Sequence, residues 1–310
     1  MSGEDVVVVE GLHKRYGDIV AVDGVSFAVR RGETFGIVGP NGAGKTTTLE
    51  IIEGLRRPDA GQVRVLGLDP QRQAREVKQR IGVQLQASAY FDFLTLREIL
   101  DLFGAFYPRR VPPKALLEMV GLQERADALL KQLSGGQQQR FSLAAAMVND
   151  PEVVFLDEPT TGLDPQARRS LWDLVRQMRE QGRTVILTTH YMEEAEVLCD
   201  RVAIMDGGRI VALDTPEALV SRLEAPYHLR LHLDRPVEAR ALAVAGVVDV
   251  SCPADGRDGL YRLQVRSVTR SLPLVLARVQ ELGAGLVDLA VERATLEDVF
   301  LALTGKELRD

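Results

Sequence analysis

The chain has 310 residues, of which 45% are hydrophobic and 26% are charged. This length can hold two domains with cores of their own, and the composition is that of an ordinary globular protein. The net charge of −6 argues against a basic surface for nucleic acid. No apolar run approaches the roughly 20 residues that a membrane-spanning helix needs, so we expect no direct membrane insertion.

The N-terminus and the cysteines carry little functional information. The first residues, MSGED, are acidic and lack a basic segment before an apolar one, which predicts no signal peptide. Cys199 and Cys252 lie far apart without metal-type spacing, which favours small buried side chains over a disulfide or redox pair. Any connection to a membrane is therefore expected to come through a partner protein.

The first part of the chain predicts short strands around a glycine-rich loop. The predicted strands are Val6–Glu10, Val25–Val29, Thr34–Val38, Val63–Val65 and Ile81–Leu85. A turn is expected at Asp23-Gly24. The third strand ends on the glycine-rich segment, and a helix is predicted from Thr46 to Leu55 directly after it.

The middle of the chain predicts helices and then buried strands. Apolar residues recur at helical spacing from Leu94 to about Val148, interrupted by prolines. Val153–Leu156 and Val185–Leu187 are fully apolar, with a helix predicted near Pro165–Glu180 between them. Strands without alternation are buried on both faces, as in a parallel sheet covered by helices. We predict a first domain over residues 5–222, with a helical subdomain at about 88–150.

The end of that domain and the rest of the chain predict a different fold. Two strands joined across Asp206-Gly207-Gly208 indicate a hairpin, and Ala225-Pro226 is a plausible linker. Beyond it, the predicted elements are strand His228–Leu233, helix Val237–Ala245, strand Val247–Val250, strand Tyr261–Val265, helix Leu272–Leu282 and strand Leu286–Val291. This β-α-β-β-α-β order predicts a small α+β ferredoxin-like domain over 227–306. A final helix, Leu296–Leu303, is expected to be capped by Thr295 and to stop at Gly305.

The glycine-rich segment has the pattern of a phosphate-binding loop. Its residues are Gly39, Pro40, Asn41, Gly42, Ala43, Gly44, Lys45, Thr46 and Thr47. The glycines let backbone N–H groups approach phosphate oxygens, and the following helix adds its positive dipole end. Lys45 can reach the β- and γ-phosphates, and the Thr46 hydroxyl can coordinate Mg²⁺. The segment therefore predicts binding of a nucleoside triphosphate.

Polar side chains at the ends of other apolar strands complete this site. Asp157 is placed to hold Mg²⁺, and Glu158 to polarise the attacking water as a general base. His190 ends the strand that starts at Val185 and is expected to contact the γ-phosphate. Gln86 is the candidate for contact with both Mg²⁺ and the attacking water, with Gln84 as a nearby competitor. Tyr16 is expected to stack on the adenine ring of the nucleotide.

A second segment predicts that the site is completed by another chain. Ser134, Gly135, Gly136 and Gln137 begin a predicted helix. Ser134 is a good helix cap, which is the ordinary interpretation of such a segment. A helix N-terminus with two glycines is also an anion site, and a partner chain can supply its phosphate. Asp164 is expected at the seam between the two chains.

The motifs together resemble the ATP-binding cassette family. In chain order they run from Tyr16 and the phosphate loop through Gln86, Ser134–Gln137, Asp157-Glu158 and Asp164 to His190. The resemblance implies a P-loop NTPase fold of class α/β, with a RecA-like core, an antiparallel β subdomain and a helical subdomain. It also implies an ATPase that forms an ATP-dependent homodimer or cassette pair. Such subunits bind an integral membrane permease subunit at the cytoplasmic face of the plasma membrane.

The end of the chain narrows the resemblance. The C-terminal domain and the ending 296–305 look like those of ATPase subunits of ABC-2 type exporters, including daunorubicin-resistance-like and multidrug exporters. Three alternatives remain at this point. A soluble cassette ATPase acting on translation or DNA usually has tandem cassettes or a long coiled coil, whereas this chain has one phosphate loop. An importer ATPase tends to end in a small β-barrel, whereas the C-terminal domain of this chain is predicted to be mixed α/β. In the third alternative, the C-terminal domain senses a small ligand.

Overall fold

The computed structural model describes residues 4–84, 90–252 and 258–305. Contacts divide the chain into two compact units with a boundary between Pro216 and Glu217. The domain limits 5–222 and 227–306 remain predictions. In chain order the elements of the first unit are β1 (Asp5–Tyr16), β2 (Ile19–Arg30), β3 (Thr34–Val38), α1 (Lys45–Ile52), β4 (Ala60–Val65), α2 (Ala74–Lys78), β5 (Ile81–Gln84), α3 (Leu96–Gly104), α4 (Pro113–Met119), α5 (Gly135–Ala146), β6 (Val153–Asp157), α6 (Pro165–Glu180), β7 (Thr184–Thr189), α7 (Met192–Leu198), β8 (Arg201–Asp206) and β9 (Arg209–Asp214).

A six-stranded sheet forms the centre of the first unit. Its strand order is β5-β6-β7-β3-β8-β9, with parallel pairing except between β8 and β9. Every residue of β3, β6 and β7 is buried, and the parallel pairing of β6 with β7 confirms the sheet expected from the unbroken apolar sequences of these two strands. Because these three strands are neighbours, their carboxyl ends lie side by side at one edge of the sheet.

A smaller antiparallel sheet has the order β2-β1-β4. The turn expected at Asp23-Gly24 is wrong, since β2 continues through these residues and the hairpin turns at Gly17-Asp18. Leu12 pairs with Val25 and the next residue of β1 pairs with Asp23, so Gly24 is the extra residue of a β-bulge. Its φ of 72° is a left-handed conformation that glycine adopts without a steric penalty.

The helical region expected between Leu94 and Val148 is confirmed in the described residues. It contains α3, α4 and α5, with short 3₁₀ turns at Gln123–Arg125 and Leu130–Gln132. Pro113 is the first residue of α4, where its missing N–H costs nothing. The sequence did not indicate α2 or α7, because helices of five and seven residues are too short to show a clear apolar period.

The second unit begins within α8 (Pro216–Ser221) and has a four-stranded antiparallel sheet. Its other elements are β10 (Tyr227–Leu233), β11 (Val247–Ser251), β12 (Leu260–Val265), α9 (Val268–Glu281), β13 (Leu286–Arg293) and α10 (Leu296–Thr304). The strand order β11-β12-β10-β13 is that of a ferredoxin-like sheet. The capping of α10 is confirmed, since Thr295 and Asp298 form a capping box and Gly305 has a φ of 67°.

The helix expected at Val237–Ala245 is wrong. A 3₁₀ turn at Ala239–Leu242 takes its place. The Tyr261 hydroxyl accepts from the Val237 N–H at 2.7 Å and donates to the Val237 carbonyl at 2.6 Å. Both backbone groups of Val237 are thereby bonded to a side chain, so they make no helical hydrogen bonds.

The residue after α1, Glu53, is a buried carboxyl. It is 2% exposed, and neither oxygen has a hydrogen-bond partner among the described residues. Burial, with smaller contributions from Asp157 and Glu50, raises the pKa of Glu53 to about 9. The carboxyl is therefore protonated in the folded protein at neutral pH.

Replacing Glu53 by Gln is expected to stabilise the protein at pH 7 by about 3 kcal/mol, and by more at pH 8. The unfolded carboxyl loses its proton above its ordinary pKa of 4.5. Folding must therefore return that proton, and the cost grows until the pH reaches the folded-state pKa. Urea unfolding at pH 6, 7 and 8 measures the difference between variant and wild type. Glu76→Gln, on exposed α2, is the control, and a Glu53→Gln difference that does not change with pH would contradict the assignment.

Candidate active site

The predicted loop and the predicted acidic and imidazole side chains meet at the carboxyl ends of β3, β6 and β7. The loop follows β3, Glu158 follows β6, and His190 follows β7. The Gly39 N–H donates to the Thr189 carbonyl at 3.3 Å, which fixes the start of the loop to the end of β7. Neighbouring strands thus bring together residues that are far apart in the sequence.

The conformation of the loop requires glycine at two positions. Gly39 and Gly44 have φ values of 155° and 99°. A Cβ at either position would lie 2.2 Å from a backbone oxygen, that of Met205 or that of Ala21. Gly44 also precedes α1, whose first N–H groups have no side-chain cap among the described residues, as at helix N-termini that bind anions.

Lys45 places a buried cation beside the loop. The residue is 4% exposed. Its Nζ donates to the carbonyl oxygens of Gly39 at 2.9 Å and Pro40 at 3.2 Å, and lies 3.3 Å from Oε1 of Glu158. These acceptors hold the positive charge where a phosphate group entering the loop would meet it.

Asp157 is bound by two hydroxyl groups. Thr46 Oγ1 donates to Asp157 Oδ1 at 3.2 Å, and Thr188 Oγ1 donates to the same oxygen. Burial raises the pKa of Asp157, while the hydrogen bonds from Thr188 and Thr46 oppose that rise. The arrangement brings together two of the three predicted metal ligands, Thr46 in the first turn of α1 and Asp157 at the end of β6.

Glu158 lies at the centre of the cluster. It is 8% exposed, and Thr161 Oγ1 donates to its Oε2 at 3.2 Å. Burial raises the pKa of Glu158, but Lys45 and His190 outweigh burial, and the pKa falls below its ordinary value. The side chain is therefore a carboxylate at neutral pH, which is the form that can accept a proton.

The backbone of Glu158 is strained. Its φ is 46°, which is unusual for a residue with a Cβ. The Glu158 N–H donates to both the carbonyl oxygen and Oγ1 of Thr188, at 3.2 and 3.0 Å. Such strain persists only where surrounding contacts fix it, and it concentrates at functional sites.

His190 contacts the same carboxylate from β7. Its Nδ1 lies 3.3 Å from Oε2 of Glu158, and its side chain is 17% exposed. The imidazole ring also lies against the Tyr191 ring, with 4.0 Å between centroids. Lys45 and His190 therefore contact different oxygens of Glu158.

The segment Ser134–Gln137 forms a separate group. Ser134 caps α5: its Oγ accepts from the Gln137 N–H at 3.3 Å, and Gln137 Oε1 accepts from the Ser134 N–H at 2.9 Å. Ser134 and Gly135 are exposed, and a Cβ on Gly136 would lie 2.9 Å from the Ala167 side chain. Asp164 caps α6 by accepting from the Ala167 N–H at 2.8 Å. The two helix starts are thus neighbours.

The remaining predicted residues lie at the edges of the site or outside the description. Tyr16 ends β1 and is 39% exposed, with Lys14 Nζ 5.6 Å and Arg56 Cζ 5.3 Å from its ring centre. Gln86 lies outside the described residues. Its competitor Gln84 is 2% exposed, and its amide has no hydrogen-bond partner among the described residues.

The threonines that bind the two carboxylates are not among the residues predicted from the sequence. Thr188 contacts Asp157 because the two residues are paired across β6 and β7. Thr161 contacts Glu158 from the loop after β6. Thr188 could have been found from the sequence, because two threonines stand between an apolar strand and His190. Polar residues at the carboxyl end of a buried strand lie at the edge of the sheet where the site is formed.

Comparisons with known proteins show which family the chain is similar to. Residues 22–161 match the family described as ABC transporter. The chain is 40% identical to the Nod factor export ATP-binding protein I of Ralstonia nicotianae, over 98% of this chain and 95% of that protein. It is also 40% identical to the daunorubicin resistance ATP-binding protein DrrA3 of Streptomyces coeruleorubidus, over 99% and 98%.

Solved structures show the same fold. The protein cbiO1 of Clostridium perfringens, described as part of the ABC transporter complex cbiONQ, has a TM-score of 0.64 at 28% identity, over 71% of this chain and 92% of that one. A dimeric ATP-binding cassette with bound ADP and phosphate has a TM-score of 0.60 at 28% identity, over 67% and 98%. These likenesses confirm the fold class expected for the first unit. Each helix in the described part of this chain is too short or too polar to cross a bilayer.

Proposed function

The chain belongs to the ATP-binding cassette transporter family, and from that premise we propose that it is the ATPase subunit of an ABC-2 type exporter. The observation that carries the proposal is the position of Glu158 beside the phosphate loop, with one carboxylate oxygen 3.3 Å from Lys45 Nζ and the other 3.3 Å from His190 Nδ1. Two relatives match over nearly their full length, one named for export and one for daunorubicin resistance, and they favour an exporter over an importer.

The mechanism follows from the charges of this cluster. Lys45 and the first N–H groups of α1 bind the phosphates of ATP. Glu158 accepts a proton from water as the water oxygen bonds to the γ-phosphorus, and the bond from that phosphorus to the bridging oxygen of ADP breaks. The charge that develops on the phosphoryl oxygens is stabilised by Lys45 and His190.

Thr46 and Asp157 are suited to hold Mg²⁺. Their oxygen atoms lie 3.2 Å apart, and a hydroxyl with a carboxylate is a donor set for a hard cation that keeps several waters. When bound, the ion neutralises phosphate charge. We propose Gln86 as the further ligand.

The partners of the subunit are part of the proposal. A second copy, or a related cassette, would present Ser134–Gln137 to the γ-phosphate, so that ATP closes the dimer and product release opens it. A related cassette has been solved as a dimer with ADP and phosphate. An integral membrane permease subunit at the cytoplasmic face of the plasma membrane would convert this closure into transport.

The expected result for the purified protein is weak release of phosphate from Mg-ATP. Reconstitution in vesicles with the polytopic membrane protein encoded nearby should raise the rate several-fold. Lys45→Ala, which removes the buried cation, is the inactive control in both preparations. Stimulation by DNA or ribosomes instead of the membrane protein would favour a soluble cassette ATPase and overturn the exporter assignment.

A further inference from the structure

Glu194, on α7, is a further buried carboxyl, and it takes no part in the mechanism above. It is 0% exposed. A buried carboxyl is costly where an apolar side chain of similar size would pack, so its presence calls for compensating polar contacts. Trp172 of α6 supplies one of them, with its indole Nε1 donating to Glu194 Oε1 at 3.1 Å.

The other contacts of Glu194 come from residues next to the catalytic groups. Burial raises the pKa of this carboxyl, and the hydroxyls of Thr189 and Thr160 oppose the rise. Thr160 Oγ1 and Glu194 Oε2 nevertheless fall short of full hydrogen-bond geometry, and neither has another partner in the described part of the chain. Two buried polar atoms with no other partner in the described residues, Thr160 Oγ1 and Glu194 Oε2, therefore lie close together.

These two threonines belong to the segments that hold His190 and Glu158. Thr189 immediately precedes His190, and its Oγ1 accepts from the Tyr191 N–H at 3.0 Å. Thr160 is followed by Thr161, whose hydroxyl binds Glu158. One carboxyl thus interacts with Thr189, which precedes His190, and with Thr160, which precedes the residue that binds Glu158.

Helix α6 makes a second contact next to His190. Arg168 lies over the Tyr191 ring, with 4.5 Å from its Cζ to the ring centre, and Tyr191 is next to His190. The same helix is capped by Asp164 at the proposed seam between two chains. Glu194 therefore interacts with three segments: the end of β7, the segment after Glu158, and α6. The relative placement of these segments determines the positions of Glu158 and His190.

We propose that Glu194 is a positioning residue for ATP hydrolysis, which ties the end of β7 to the segment after Glu158 and to α6. The inference rests on the proposed ATPase function. Its consequence is that loss of the carboxyl misplaces His190 and Glu158 relative to the γ-phosphate while the phosphate loop keeps its own contacts. Such a change affects turnover more than nucleotide binding.

The test compares Glu194→Leu and Glu194→Gln with wild type in Mg-ATP hydrolysis. Glu194→Leu should lower kcat by about 10-fold and leave KM within about twofold, because the lost contacts act on the transition-state geometry. Glu194→Gln keeps the size and an acceptor for Trp172, and should restore most of the turnover. Leu198→Met, a buried change at the other end of α7, is the control and should retain wild-type kcat.

A double variant separates positioning from general destabilisation. In a His190→Ala background, Glu194→Leu should lower kcat by much less than it does alone, whereas a change that only loosens the fold would lower both equally. If Glu194→Leu fails to fold, Trp172→Phe removes the indole donor but keeps an aromatic ring, and should lower kcat at constant KM.

The outcomes distinguish the two proposals. A folded Glu194→Leu protein with wild-type kcat would overturn the positioning role while leaving the ATPase assignment intact. If Glu194→Leu does not fold, unchanged turnover in Trp172→Phe would have the same consequence. A fall in kcat that Glu194→Gln does not restore would also overturn it. Wild-type protein without any ATP hydrolysis would overturn the proposed function and this inference with it.

Discussion

Glu158→Gln protein is expected to bind ATP but to hydrolyse it at least about 100-fold more slowly than wild type. The Lys45 and His190 contacts keep the pKa of Glu158 below its ordinary value, so the wild-type side chain is a carboxylate ready to take a proton. The amide has nearly the same shape and still accepts a hydrogen bond from Thr161, but it cannot act as a base. Binding and closure should therefore proceed while the chemical step is blocked.

This variant should accumulate as a dimer when Mg-ATP is present. Light scattering with and without Mg-ATP measures the change in mass, and phosphate release measures the rate. Glu180→Gln, at the exposed end of α6, is the control and should behave as wild type. Turnover of Glu158→Gln at the wild-type rate would remove Glu158 from its proposed role. A dimer without ATP would point instead to a constitutive interface.

The parts of the site that could be predicted are those fixed by strand ends. Unbroken apolar strands must be parallel and central, and their carboxyl ends then meet at one edge. That argument is enough to bring Lys45, Asp157, Glu158 and His190 together, because each follows such a strand or its loop. The chemistry of each residue type then indicates its role.

The contacts that could not be predicted depend on register and on burial. Thr188 binds Asp157 because these residues are paired across β6 and β7. The register between two neighbouring strands cannot be predicted from the sequence of either strand. Glu194 looks like a polar residue in a short acidic helix, and only the packing of α6 against α7 shows that it is buried. The pair Asp23-Gly24 predicts a turn but forms a bulge, because glycine with a positive φ occurs in both conformations.

Ser134→Arg is expected to abolish ATP-dependent dimerisation and turnover while the monomer binds ATP as wild type does. Ser134 and Gly135 are exposed and their hydrogen bonds stay within α5, so the change leaves the phosphate loop untouched. The arginine places a bulky side chain where the partner's γ-phosphate would dock. Loss of the helix cap costs about 1 kcal/mol in addition, and Ser134→Ala, which loses the cap without adding bulk, measures that part alone.

Mixing two inactive variants provides the most direct evidence for a site shared between chains. A Ser134→Arg chain keeps Lys45, and a Lys45→Ala chain keeps Ser134, so a dimer of one each contains one intact shared site and one doubly defective site. Phosphate release should therefore appear on mixing, although neither protein alone hydrolyses ATP. If each phosphate loop were completed by Ser134 of its own chain, mixing would restore nothing. Glu158→Gln can then be added to the Ser134→Arg chain. If the restored turnover is lost again, Glu158 and the phosphate loop of the active site belong to the same chain, and the other chain supplies Ser134.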